Sequence, residues 1–250
     1  TLDRFFPGVE GSDPEIALVS FHTFYNVLCI FLILPFTNSF ARALVRLIPE
    51  HGNPLAKRLD PGLLGSTDVA LHAVASTEQE IMQTLLTRLL PVLRHPGEHV
   101  DADAMVDIDD AMTQTREYLE RIRVQPDRRR HMELYACAIH ILDHLRRIRE
   151  RAIDQRRMSR IGDDQGLVRM TEQLVVIVQQ LANAAFPIDE ATAAKAQQVN
   201  HQLKTAMRRY RVNTLRGTAG GAMNTTTALQ RMDAARGLRR VAYHLWRIVD

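Results

Sequence analysis

Residues 134–148 read Leu-Tyr-Ala-Cys-Ala-Ile-His-Ile-Leu-Asp-His-Leu-Arg-Arg-Ile. Within them Leu134, Ala138, Ile141, Leu142, Leu145 and Ile148 recur at intervals of three and four. That interval puts side chains on one stripe of an α-helix, and the intervening polar positions make the helix amphipathic. Leu167, Met170, Leu174, Ile177, Val178 and Leu181 repeat the pattern farther along.

Six such segments are predicted on either side, at about 66–94, 101–124, 127–157, 164–185, 189–216 and 224–249. Pro96-Gly97, Pro126, Gly162-Asp163-Asp164, Pro187 and Gly217 to Gly221 separate them, since proline and glycine punctuate helices. Ser66 or Thr67 is placed to cap the first and Asn224 or Thr225 the last. Gly217-Thr218-Ala219-Gly220-Gly221 reads as a flexible turn. It follows a helix and lacks the Gly-Lys-Ser/Thr end of a phosphate-binding loop. Ala, Leu, Arg and Gln recur, all good helix formers, and nothing reads as paired strands. The fold class expected is all-α.

A faint internal repeat divides these helices. Leu119-Glu120-Arg121-Ile122-Arg123-Val124 resembles Met207-Arg208-Arg209-Tyr210-Arg211-Val212, and Leu145-Arg146-Arg147-Ile148 resembles Leu238-Arg239-Arg240-Val241. Both pairs are about 90 residues apart, so the six helices read as two related three-helix units.

The N-terminal part differs in character. From Ile16 to Ala41 the chain contains no Asp, Glu, Lys or Arg; Glu15 and Arg42 close the run. About 20 helical residues cross a hydrocarbon core of about 30 Å, so the run is long enough for a membrane span, with a kink expected at Pro35. Its acidic flank (Asp3, Glu10, Asp13, Glu15) does not fit a secretory signal, which has a basic start. Arg42, Arg46, Lys57 and Arg58 follow the run, whereas Arg4 alone precedes it, which places everything after about residue 42 in the cytoplasm. Ser20, His22, Thr23 and Asn26 are polar positions inside the run. His22 and Asn26 share a helix face with Thr23 beside them. The three are candidate transport-pathway residues or a helix–helix contact; the competing reading is an interfacial position near the outer end, seven residues from Glu15. Domains are thus expected at 1–48 (spanning helix and outer flank), 49–65 (linker) and 66–250 (cytosolic helical domain). Because the chain starts at Thr1 rather than Met, it is expected to be part of a longer protein.

Phe21-His22-Thr23-Phe24-Tyr25-Asn26-Val27-Leu28, Leu34-Pro35-Phe36 and Arg46-Leu47-Ile48-Pro49 resemble the last membrane helix of bacterial sodium/phosphate cotransporter family proteins. Leu59-Asp60-Pro61-Gly62-Leu63-Leu64 is similar to the linker that follows it there. The ending, from Leu238 to Ile248, resembles the tail of the PhoU-like extensions those proteins carry. The resemblance covers nearly the whole chain, although the central helices are generic. It implies one transmembrane helix followed by a PhoU-like six-helix bundle of two three-helix repeats, in the plasma (inner) membrane. It further implies a multi-pass parent that is a sodium-dependent phosphate symporter, with sodium and phosphate as transported ions and the bundle regulating uptake or assembly. The partners implied are membrane lipid, the parent's other transmembrane helices, and a second copy or a signalling protein. The alternative is a membrane-tethered PhoU-like adaptor that binds a sensor or another transporter. The Gln-Ser-Ser motifs of such a transport core are not in this sequence.

PhoU proteins bind metal through helical acids four residues apart. Here the aligned stretch, Asp143-His144-Leu145-Arg146-Arg147-Ile148-Arg149-Glu150, has Arg146 in place of the first acid and keeps only Glu150. The second repeat has Arg239 and Tyr243 at these positions. A guanidinium cannot ligate a cation, so neither a metal site nor a cofactor is expected in this chain. His140 and His144 stand four apart but lack the Glu of a metalloprotease helix, and read as surface or partly buried histidines. Asp107, Asp109 and Asp110 lack the glycine of a calcium loop and read as a solvated face. Arg128-Arg129-Arg130 with Arg146, Arg147, Arg149 and Arg151 also reads as a solvated face. The formal charge of +3, from 32 basic and 29 acidic residues spread along the chain, points to no nucleic-acid partner. Cys29 and Cys137 fit no zinc or disulfide pattern and are read as packing residues. No nucleophile, base and orienting group assemble in the linear sequence, and no enzyme is expected.

Overall fold

The computed structural model describes residues 14–33, 36, 52–95, 103–152, 160–162 and 164–250. They divide into two units, Thr1–His51 and Gly52–Asp250. Every regular element among the described residues is helical.

The first unit contributes α1, Pro14–Ile33. Leu18, Val19, Phe21, Phe24, Val27, Leu28, Ile30, Phe31 and Leu32 are all exposed. Successive residues of a helix point about 100° apart, so these side chains are not confined to one stripe, although Ser20, His22, Thr23 and Asn26 interrupt them. Among the described residues no helix is long and apolar enough to cross a membrane. Of the span expected over 16–41, continuous side chains are described over 18–32, roughly 22 Å of helix at 1.5 Å per residue against about 30 Å of hydrocarbon. Residues 34, 35 and 37–41 lie outside the described residues, as do Arg42, Arg46 and the outer flank before residue 14.

The second unit holds α2 (Thr67–Arg94), α3 (Val106–Arg121), α4 (Arg129–Ala152), α5 (Gln165–Ala182), α6 (Glu190–Ala219) and α7 (Thr225–Val249). Each of the two halves, α2–α4 and α5–α7, packs its own three helices together. They join where α2 meets α5 and α4 meets α7. Helix direction follows from cross-contacts. Thr67 Oγ1 donates to the Arg123 carbonyl while Arg88 meets Asp107, so α2 and α3 run antiparallel. His131 reaches Asp68 at 2.9 Å, which sets α4 parallel to α2. A continuous core draws Ile81, Leu85 and Leu89 from α2, Leu145 and Ile148 from α4, Leu167, Leu174 and Ile177 from α5, Leu203 from α6, and Leu238 and Leu245 from α7. A smaller cluster closes the other end of the first half around Leu71, Val74, Tyr118 and Ala138.

The helix starts follow the sequence chemistry. Asp164, Asp189 and Asn224 accept hydrogen bonds from first-turn N–H groups of α5, α6 and α7, satisfying donors that a helix leaves unpaired. Ser66 is the N-cap residue of α2 but makes no side-chain cap bond. Two boundaries and one burial differ from expectation. α3 ends at Arg121 and Ile122 turns extended (φ −69°, ψ 127°), ahead of Pro126, which disfavours helix in the residue before it. α6 runs through Gly217 to Ala219; the turn begins only at Gly220, and Gly221 takes φ +76°, a left-handed conformation that glycine adopts without steric cost. Leu134 is exposed despite its place in the stripe, because at that level α4 turns Tyr135 inward against the smaller cluster.

Residues 52–65, read as a linker, form short 3-10 turns at Pro54–Ala56 and Pro61–Gly65, each capped by the preceding Asn53 or Asp60. Leu55 and Ala56 are buried, and Leu55 belongs to the main core. Asn53 Nδ2 also donates to the Asp107 carbonyl and to Asp110 Oδ2. This segment is therefore strapped to α3.

Gly166 lies where a Cβ would meet two Tyr210 ring carbons at 2.9 Å and Asp164 Oδ1 at 3.0 Å, whereas a Cβ on Gly65 would meet nothing within 4 Å. Gly166→Ala is expected to cost about 1–3 kcal/mol by overpacking, and Gly65→Ala no more than about 0.5 kcal/mol. Urea unfolding midpoints of the two variants check the difference.

Candidate functional site

The polar residues that bear chemistry gather inside the bundle. On α4, His144 precedes the fully buried Leu145, and on α7, His244 precedes the fully buried Leu245. Residues next to a core position lie at the edge of the helix contact, so the two rings are carried to the seam between the halves. There the two Nδ1 atoms are 3.2 Å apart and the ring centroids 5.2 Å apart. Only one of the two can donate, so the contact requires opposite tautomers in the neutral pair. Tyr243 lies edge-on to His244 at 5.3 Å, and Trp246 edge-on to Tyr243 at 5.9 Å. Arg239 stands 6.0 Å over the Tyr243 ring and Arg247 5.4 Å over that of Trp246, within cation–π range.

Burial pushes His244 down to about 4; His144, Arg147 and Arg151 push in the same direction, and Asp143 opposes them. Burial also lowers His144, with Asp143 again opposing and Arg247, His140 and Arg147 assisting. Asp143 accepts from Arg147 at 2.7 Å and from Arg146 at 3.3 Å, and chiefly the Arg147 bond holds its carboxyl below the usual range.

A second polar group lies deeper. Glu78 is 2% exposed, and neither of its carboxyl oxygens nor the neighbouring Thr77 hydroxyl has a hydrogen-bond partner among the described residues. On α2 it sits between Val74 of the smaller cluster and Ile81 of the main core. Charging a carboxyl there without a partner is costly, and burial raises its pKa well above that of an ordinary Glu.

Ion pairs bind the helices around these groups. Arg88 forks onto Asp107 at 2.5 and 2.7 Å, from α2 to α3, raising the guanidinium and lowering the carboxyl. Arg149 of α4 pairs with Asp109 of α3. Arg231 of α7 meets Asp164, the cap of α5, at 3.1 Å. Beside that pair, burial and then the Asp164 charge push Tyr210 up to about 12.

The sequence-derived candidates fall as follows. His22, Thr23 and Asn26 are exposed on α1, and Thr23 Oγ1 donates to the Val19 carbonyl at 2.9 Å. They share one helix, and no second helix of that unit is among the described residues. His140 is exposed, while His144 turns to His244, a hundred residues on, rather than to its helical neighbour. Asp107, Asp109 and Asp110 are not a solvated face: each holds another element to α3. Arg149 likewise points into the bundle. Arg146 spans Asp143 and Glu150, at 3.3 and 3.7 Å. Cys137 is exposed rather than a packing residue, and Cys29 is half-buried. No group of three or more His, Cys, Asp or Glu gathers to hold a metal among the described residues. The reading from sequence missed His244 and Glu78. Glu78 carried a signal, being an acid at stripe spacing between Val74 and Ile81; His244 carried none, because its partner is distant in the chain.

Comparison of the chain with protein-family models, with curated proteins and with solved structures finds no match.

Because burial raises the Glu78 carboxyl well above 4.5 in the fold, the folded chain holds its proton to higher pH than the unfolded chain, and its linkage lowers stability as pH rises above 4.5 until the folded carboxyl itself ionises. The contribution is complete below about 4.5 and declines by up to about 1.4 kcal/mol per unit above it. Glu78→Gln removes this term, so the variant's stability relative to wild type is expected to climb between pH 4.5 and 8 in urea unfolding.

Proposed function

We propose that this chain is the C-terminal part of a sodium-dependent phosphate symporter, with α1 in the bilayer and the bundle acting as a cytosolic regulatory domain. The observation that carries the membrane part is α1 itself. Nine large apolar side chains on it are exposed, and only Ser20, His22, Thr23 and Asn26 interrupt them; an apolar surface of that extent is stabilised by a protein partner or by lipid. The charge-free run from Ile16 to Ala41 extends that character, and the basic residues after it favour a cytoplasmic bundle. His22, Thr23 and Asn26 then belong to contacts with the parent's other helices or to its ion path.

The phosphate assignment rests on the resemblance of residues 21–49 and 238–248 to sodium/phosphate cotransporters with PhoU-like extensions. The paired three-helix halves are consistent with it. A regulatory role fits a bundle whose elements are tied together by ion pairs such as Arg88–Asp107, Arg149–Asp109 and Arg231–Asp164. The second reading, a tethered PhoU-like adaptor for a sensor or another transporter, requires the same anchor and the same bundle.

Two measurements test this. In flotation assays the 250-residue chain is expected to rise with liposomes and a chain of residues 52–250 to stay below; equal partition of the two removes the anchor. In cells carrying the gene for the full protein, deleting residues 66–250 is expected to change the control of sodium-stimulated phosphate uptake while leaving transport in place. No sodium-stimulated uptake by the intact protein would leave only the adaptor reading.

A further inference from the structure

The geometry points to the His144–His244 contact as a proton-operated latch between the two halves of the bundle, closed when the pair is neutral and opened when both rings are charged. The seam has the parts such a device requires. The two imidazoles come from different halves, one on α4 and one on α7, and their Nδ1 atoms face each other at 3.2 Å. His244 is 7% exposed, so water cannot readily replace the contact.

The charged groups acting most strongly on the two rings are His140, Asp143, Arg147 and Arg151 of α4 and Arg247 of α7. Asp143 is engaged by Arg146 and Arg147, and Arg247 by Asp250; on both rings burial is the largest influence against added protons, and Arg147 acts in the same direction. From α2, the buried Glu78 brings no charge while it remains protonated.

The proton steps are distinct. In the neutral pair one Nδ1–H donates to the other ring's Nδ1 lone pair. A first proton goes to the free Nε2 of the donor ring and leaves that bond in place. A second proton must occupy the accepting Nδ1, so two N–H groups and two positive charges confront each other at 3.2 Å. Separating α4 from α7 lets both rings reach water, where histidine binds protons with a pKa near 6.5. Acid therefore favours the open seam, by about tenfold per pH unit for each proton that opening takes up. The sign follows from both histidines being lowered in the closed form: closure is complete above about pH 6.5 and weakens as pH falls toward about 4. The device does not depend on what α1 or the parent protein does.

Trp246 is the only tryptophan, and it sits against Tyr243 beside the pair, so its fluorescence reads the seam directly. The full chain in detergent micelles, followed by Trp246 emission from pH 7.5 to 4.5, is expected to show a cooperative change below about 6.5. In the His144→Gln/His244→Gln double variant, whose amides carry no titrating group, that change is expected to vanish. An unchanged acid transition in the double variant, or none in the wild type, overturns the latch. If the double variant does not fold, NMR titration of the wild-type imidazole C–H signals decides instead. Two rings that stay neutral below pH 6 and then charge together support it. Two rings that titrate independently near 6.5 overturn it.

Discussion

The second unit depends on a single column of apolar side chains shared by both of its halves. Apart from the small cluster at one end of the first half, the buried apolar residues of both halves form one core. Leu145 and Ile148 of α4 and Ile81, Leu85 and Leu89 of α2 complete their burial only against Leu174, Ile177, Leu238 and Leu245 from the other half. Fully burying each such side chain contributes about 1.5–3 kcal/mol relative to leaving it exposed, far more than the ion pairs around it. The Arg88–Asp107, Arg149–Asp109 and Arg231–Asp164 pairs instead set register: each joins an element to one partner position and, being partly desolvated, disfavours others.

Against that column, two polar inclusions stand out. Glu78 is kept in the interior without a partner, and its neutral form is the one the fold tolerates. His144 and His244 satisfy each other, but only while at least one nitrogen remains an acceptor. Both inclusions make the bundle sensitive to proton activity, in opposite directions. The acid's contribution declines as pH rises above about 4.5 and that of the histidine pair declines as pH falls below about 6.5, so between those values the two oppose each other.

The two units obey different solvation rules. In the bundle each helix has one apolar stripe, and the stripes are used up against one another. In α1 the polar positions are confined to Ser20, His22, Thr23 and Asn26, and large apolar side chains are exposed along the rest of the helix. Residues 52–65, with Leu55 in the core and Asn53 clasped to α3, belong to the bundle rather than to a separate linker.

The period of the apolar residues was sufficient to determine the all-α class, the six bundle helices and most of their ends. Helix formation and capping are governed by residues within a few positions of each other, so Asp164 and Asn224 declare themselves locally. The internal repeat was legible for the same reason, since it is a property of order along the chain. Register around each helix was less so: Leu134 and Tyr135 are adjacent, and only the neighbouring elements select which turns inward. The three aspartates at the start of α3 looked like surface charge because their arginine and asparagine partners are 19 to 57 residues away. The facing of His144 with His244 was decided wholly by tertiary structure. A contact between residues a hundred positions apart depends on how two helices cross, and helical periodicity carries no information about that crossing.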